Sequence, residues 1–222
     1  IIMKAVVYSQ YGTPDVLRLT EVAQPSVQAG EVLVQIHAAA VNAADGYLLR
    51  GEPVLLRADS GISRPKRPIL GADIAGRVVA VGDGVTRFRP GDAVYGDLSS
   101  CGLGGFAEYV SAPESALAHM PSRLSFEEAA ALPMAAVTAL QGIRATGRDL
   151  DGLRVAVNGA SGGVGTFAVQ IARAQGAEVT AVCSTRHLPR MRALAQHVID
   201  YTREDFTAGG ARFDVILGVN GY

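Results

Sequence analysis

Two hydrophobic periodicities divide this chain. In its first part, Met3 to Ser9, Leu17 to Val22, Glu31 to Ala40, Ile74 to Val81 and Ala93 to Tyr95 are short apolar or alternating runs. Turn residues separate them at Gln28-Ala-Gly30, Gly82-Asp-Gly84 and Arg89-Pro-Gly-Asp92. Side chains two apart share one face of a strand, so this pattern predicts a small β barrel or sandwich. Residues 50 to 68 are rich in Arg, Pro and Gly and carry no clear period, which predicts either a mobile loop at a ligand mouth or an ordinary surface excursion.

Beyond residue 125 the period lengthens. Ser125-Phe-Glu-Glu128 forms a capping box, in which the Ser hydroxyl accepts the Glu main-chain N–H and the Glu carboxylate accepts that of the Ser. An alanine-rich helix follows. Pro133 has no N–H to donate, so it ends or kinks that helix and leaves a second from about Ala135 to Ala145. Gly147 and Gly152 then lead into an alternation of strands and helices, the pattern of a parallel sheet. Val155 and Val157 mark its first strand and Glu178 to Cys183 its second. Leu188 to Ala195 reads as a helix, Val198-Ile199 as a short third strand, and Phe213 to Leu217 as a fourth.

The first strand runs into Ala160-Ser-Gly-Gly-Val-Gly165, a dinucleotide-binding glycine loop whose first glycine is replaced by alanine. Phe167, Ala168, Ile171 and Ala172 continue at helical spacing, and Gly176 closes the helix. Free N–H groups at such a helix start can hold a pyrophosphate, which points to Ala160, Ser161, Gly162, Gly163 and Val164 as cofactor contacts. NAD-binding units place an acidic residue about 20 positions further on, to bond the ribose hydroxyls. Here that place reads Ser184-Thr185-Arg186, and no carboxylate lies between Glu178 and Asp200. A guanidinium fork with two hydroxyl donors suits a ribose 2′-phosphate, so NADPH is the expected cofactor. Arg190 and Arg192 add a weaker positive field or are ordinary solvated charges.

A formal net charge of −1 with both signs interspersed gives no reason to expect nucleic acid as a partner. No apolar run approaches the roughly 18 residues of a membrane span, and the start lacks the regions of a signal peptide. The expected setting is the cytoplasm, without membrane association. Cys101 and Cys183, isolated in different predicted domains, fit a reducing compartment. Ile1-Ile2 before Met3 reads as an extension outside the fold. A complete doubly wound domain has about six strands. This sequence reaches Gly218 to Tyr222 after its fourth, so it is expected to be a fragment or to be completed by another chain.

Several short marks fall in order along the sequence: Lys4-Ala-Val-Val7, Tyr11-Gly-x-Pro-x-Val-Leu17, Val41-Asn42 with Asp45, Gly71-Ala-Asp-Ile-Ala-Gly76, Gly91-Asp92 before Val94, Gly105-Phe-Ala-Glu-Tyr109 and Ala160 to Gly165. Together they resemble the medium-chain dehydrogenase/reductase superfamily, and within it the zinc-independent, zeta-crystallin-like quinone oxidoreductases. The resemblance implies an α/β chain: a GroES-like catalytic domain over residues 3–124, and a Rossmann domain over residues 125–222 whose doubly wound parallel sheet is cut after its fourth strand. It implies an active site in the cleft between them and a homodimer for the full-length form. It also implies nicotinamide contacts from Asn42 and Thr138, a cofactor contact from Val219 after the fourth strand, and a hold on the 2′-phosphate from Arg186 and Tyr201.

Zinc-dependent relatives carry cysteine near Asn42 and Gly-His-Glu where this chain has Gly71-Ala72-Asp73. Both soft ligands of a catalytic zinc are therefore missing, and Cys101 stands alone where a structural zinc lobe would need several cysteines. No metal site is expected. Without a Lewis acid, adding hydride to a conjugated quinone or enone asks less of the protein than dehydrogenating an alcohol. The expected activity is NADPH-dependent reduction of quinones or α,β-unsaturated carbonyl compounds. Tyr47 could protonate a developing oxyanion with Asp45 orienting it, or the two could be a packing aromatic and a turn anchor, with solvent as the proton source. His37 reads as structural, and His119, His187 and His197 show no triad spacing. Two alternatives stay open. An enoyl-thioester reductase would use Arg50, Arg57, Arg64, Lys66 and Arg67 as a patch for an anionic carrier. A crystallin-like protein would bind NADPH without turnover.

Overall fold

The computed structural model describes residues 1–208, 210 and 212–219. The final positions, 220–222, lie outside the described residues. The chain separates into two compact units, Ile1–Met134 and Ala135–Tyr222.

In the first unit, β1 (Ile2–Val7) and β2 (Arg18–Ala23) form an antiparallel pair. A second sheet holds β3 (Glu31–Ala40), β4 (Asp73–Val81), β5 (Ala93–Asp97), β6 (Tyr109–Pro113) and β7 (Leu117–His119), in the order β6-β3-β4-β5-β7 and antiparallel throughout. Val32, Val34, Ile74, Val78, Val94 and Leu117 close its core. Each such side chain contributes about 1.5–3 kcal/mol on leaving water. β6 and β7, short and interrupted by Pro113, escaped the sequence pattern.

Between β3 and β4 the sequence predicted no element, and the structure places two helices there. Helix α1 (Ala43–Arg50) starts at Asn42 and ends on Gly51, whose φ of 61° is the left-handed turn that glycine makes without strain. Residues 50 to 68 hold a 3-10 turn at Val54–Leu56 and the single-turn helix α2 (Arg57–Ser60). This segment is tied down, because the Tyr11 hydroxyl lies 3.0 Å from Ser60 Oγ and 2.5 Å from the Gly61 carbonyl oxygen.

The capping box at Ser125 forms as predicted and opens α3 (Phe126–Ala130), which buries Ala129 and Ala130 beside Ala75. His37 stacks on Phe126 with ring centroids 4.3 Å apart, a packing role. Helix α4 (Pro133–Ala145) begins on the proline itself rather than after it, since the missing N–H of a first-turn residue costs nothing.

The second unit carries β8 (Arg154–Asn158), α5 (Gly163–Ala174), β9 (Glu178–Cys183), α6 (Leu188–Leu194), β10 (His197–Asp200) and β11 (Val215–Gly218). Its sheet is parallel in the order β10-β9-β8-β11, the arrangement of a doubly wound nucleotide fold. Val155, Val157, Val179 and Ala181 pack against Ala168, Val169 and Ala172 of α5 in one buried cluster. Among the described residues no helix is long and apolar enough to cross a membrane.

Candidate functional site

The turn from β8 into α5 is held by main-chain bonds: Gly159 and Ala160 N–H both reach the Val182 carbonyl, at 3.2 and 3.1 Å. Ala160 is fully buried where the fingerprint has its first glycine. The remaining glycines have separate duties. A Cβ on Gly165 would stand 2.2 Å from the Gly159 oxygen, so this position must be bare for helix and strand to pack. At Gly162 the nearest atom would be 3.5 Å away, and at Gly163 3.8 Å, so the fold itself accepts a side chain at both. Both are exposed, beside the first-turn N–H groups of α5 that have no intrahelical acceptor. Bare backbone that packing does not require, at the positive end of a helix of 12 residues, is what close approach of a phosphate needs.

At the end of β9, Ser184 starts a 3-10 turn over Thr185–His187 that carries Arg186, whose Nε donates to His187 Nε2 at 2.8 Å. The parallel register sets Asp200 beside Cys183, and its carboxylate accepts the Thr185 hydroxyl at 2.6 Å. Asp200 also accepts the Thr202 hydroxyl at 2.7 Å and the Thr202 N–H at 3.0 Å. These donors hold its pKa below the ordinary carboxylate value, the Thr185 bond contributing most. The structure thus brings an ionised carboxylate to the strand end where the linear sequence showed none. Tyr201, next along, is half exposed.

Thr138 on α4, Val164 on α5, and Gly218 and Val219 at the end of β11 line a common cavity of about 450 Å³ within the second unit, continued along Ala139 and Gly142. Three residues expected to contact the cofactor, Thr138, Val164 and Val219, therefore line one cavity.

Asn42, Asp45 and Tyr47 belong to the first unit. Asp45 is 5% exposed, and its two oxygens accept the Asn42 N–H at 2.8 Å and the Gly71 N–H at 3.1 Å. Its carboxylate is engaged in starting α1 and joining it to the strand segment before β4; burial raises its pKa. Tyr47 is half exposed on the helix, with the Arg50 guanidinium 5.6 Å from its ring centroid. Asn42 turns its amide inward, Nδ2 donating to Asp73 Oδ2 at 3.1 Å. Asp73 is fully buried and also accepts the Met134 N–H, at 3.1 Å from each oxygen. Loss of water around this carboxyl pushes its pKa to about 6 against those stabilising bonds. Sequence reading missed Asp73 as the partner of Asn42, because that bond spans the sheet rather than the chain.

Among the described residues no group of three or more His, Cys, Asp or Glu side chains is placed to hold a metal ion. The basic patch is largely occupied locally. Arg50 pairs with Glu52, Arg67 with Asp59, Arg57 donates to the Gly51 carbonyl, and Lys66 donates to that of Asp59.

Comparison with known proteins agrees with this geometry. Residues 28–122 match the alcohol dehydrogenase GroES-like domain. The chain is 36% identical to a chloroplastic quinone-oxidoreductase homolog of Spinacia oleracea, over 99% of this chain and 69% of that protein. It is 37% identical to a chloroplastic NADPH-dependent alkenal/one oxidoreductase of Arabidopsis thaliana, over 99% of this chain and 58% of that one. The solved quinone oxidoreductase of Coxiella burnetii superposes with a TM-score of 0.87 at 31% identity, over 97% of this chain and 68% of that one. Against curated relatives such as these the chain spans 54–69% of their length. The GroES-like sheet, the parallel nucleotide sheet and these matches agree: the chain belongs to the medium-chain dehydrogenase/reductase family, in its quinone oxidoreductase group.

Proposed function

We propose that this chain carries the cofactor-binding and much of the substrate-binding apparatus of an NADPH-dependent reductase of quinones or α,β-unsaturated carbonyl compounds that works without zinc. The carrying observation is the glycine pair Gly162 and Gly163, bare where the fold would tolerate a side chain, at the start of α5. The Ser184–Arg186 turn favours the phosphorylated cofactor, and the names of the two curated relatives point to the same chemistry.

Bound NADPH would supply the hydride. The chain's own part is to hold pyrophosphate on the N–H groups of residues 162–164 and to seat the nicotinamide end near Thr138, Val164 and Val219. Asn42, whose Nδ2 donates to Asp73, is proposed to contact the reacting end of the cofactor. Tyr47 is exposed enough to pass a proton to a developing oxyanion, with solvent as the other donor. Asn42 and Ala72, at or near the positions where zinc-dependent relatives carry cysteine and histidine, support reduction of a conjugated acceptor.

We assign catalysis to residues 3–124 and dinucleotide binding to residues 125–222, and a homodimer to the whole protein. Cys101 and Cys183, both unbridged, suit a reducing compartment such as the cytoplasm, although the two curated relatives described above are chloroplastic.

The test is loss of NADPH absorbance catalysed by the full-length protein with a quinone, an enone and a simple aldehyde, with and without a chelator. Chelator-resistant turnover of quinone or enone, with NADPH preferred, is the expected result. Tight NADPH binding with no turnover on any acceptor would replace this reading by the non-catalytic one.

A further inference from the structure

We propose that Asp200 is a positioning residue: it latches the turn after β9 to the turn after β10 and so sets the loop that selects a 2′-phosphorylated cofactor. This inference rests on the NADPH reading above. The β9–β10 register places Asp200 against Cys183, one residue before the Ser184–Arg186 turn. Asp200 is 6% exposed, yet all the donors that satisfy it come from this chain: Thr185 Oγ1 on one oxygen, Thr202 N and Oγ1 on the other. Arg203 Nε stands 3.9 Å from the first oxygen and offsets its charge.

Counting protons decides what Thr185 can do for a ligand. Thr185 Oγ1 and Thr202 Oγ1 are 2.9 Å apart, and each is also within hydrogen-bond reach of the carboxylate. Two hydroxyl protons serve three contacts, so none remains for a phosphate. Thr185 therefore acts through the carboxylate, as one side of the latch, while Ser184 and Arg186 on either side of it face the cofactor. Both oxygens of this carboxylate are engaged by donors of its own two turns, one on Oδ2 and two on Oδ1, so it is committed to the latch rather than to ribose hydroxyls as an NAD-type acid is. It also keeps the Arg186 turn in register with Tyr201, the neighbour of Asp200 on the adjoining strand end.

The experiment measures binding of 2′-phospho-ADP-ribose and of ADP-ribose to the full-length protein carrying Thr185→Val, Thr185→Ser or Asp200→Asn. Thr185→Val should weaken the 2′-phosphorylated ligand about 10-fold, the effect of losing one charge-assisted hydrogen bond, and leave ADP-ribose within about twofold. Thr185→Ser should restore binding, and Asp200→Asn should follow Thr185→Val. Equal loss for both ligands, no loss, or tighter binding of the phosphorylated ligand in Asp200→Asn would overturn the latch. If the unaltered protein binds both ligands equally, the NADPH reading fails by itself. Amide hydrogen exchange at residues 184–187 and 201–203 then judges the latch, faster exchange in Thr185→Val than in Thr185→Ser supporting it and equal exchange removing it.

Discussion

Asn42 and Asp73 face each other across 3.1 Å, a side-chain amide donating to a carboxylate that has no contact with solvent. The carboxylate receives the Met134 N–H as well, and burial still raises its pKa to about 6. An acid whose folded pKa lies above its unfolded value stabilises the fold while neutral. That contribution is complete below about pH 4 and is lost as pH rises through about 6. A shift of about two units corresponds to roughly 3 kcal/mol of folding free energy. Asp73→Asn should therefore melt at a higher temperature than the parent at pH 8, by the equivalent of about 1–3 kcal/mol, with the gap closing toward pH 4. A gap that stays constant with pH would show that the carboxyl is not the titrating group. The Asn side chain would offer an N–H where Asn42 now donates, so Asn42 should flip its amide, and hydride transfer should slow at every pH.

Asp45 carries a different load. Its two accepted N–H groups start α1 and join it to Gly71, so truncation leaves buried donors unsatisfied. Asp45→Ala should lower the urea midpoint by the equivalent of about 1–3 kcal/mol. Tyr47→Phe should leave that midpoint unchanged and, if the phenol delivers a proton, lower kcat with little change in KM. Equal kcat for the two proteins assigns the proton to solvent.

Cofactor choice is read most directly at Arg186. Removing a charged hydrogen bond worth about 1.5–3 kcal/mol, Arg186→Ala should weaken NADPH roughly 10- to 100-fold while NADH changes little. Titration of both nucleotides by quenching of protein fluorescence checks this, and parallel losses would remove Arg186 from the 2′-phosphate.

The two kinds of glycine in the loop separate stability from binding. Gly165→Ala, with its new carbon 2.2 Å from a carbonyl oxygen, should cost about 1–3 kcal/mol in thermal unfolding. Gly162→Ala should unfold within about 0.5 kcal/mol of the parent, in line with an unobstructed surface position, while pyrophosphate-containing ligands bind more weakly. If Gly162→Ala binds NADPH normally, the pyrophosphate does not pass over this residue.

Much of the second unit could be read directly from sequence, because the alternation of Val155 and Val157 and the glycine run are local signals that strand, turn and helix start all agree on. Helix α1 was hidden for the opposite reason. Its start is the pair Asn42 and Asp45, which looked like site chemistry and served partly as a cap. Asp200 was misplaced by distance along the chain: the carboxylate sought about 20 residues after the loop arrives at the same strand end from the neighbouring strand. Parallel register, which no single segment encodes, brings it there. Asp73 was hidden likewise, since its partners Asn42 and Met134 lie 31 and 61 positions away.

The division of labour between Gly165 and the pair before it also bears on how this loop can drift. Among descendants of such a chain, one that ceased to bind nucleotide would be free to acquire side chains at 162 and 163 at once, yet a side chain at 165 would still carry its cost in stability. The ratio of change at these neighbouring positions across relatives is therefore a record of cofactor use, written in the sequence and separable from the record of the fold.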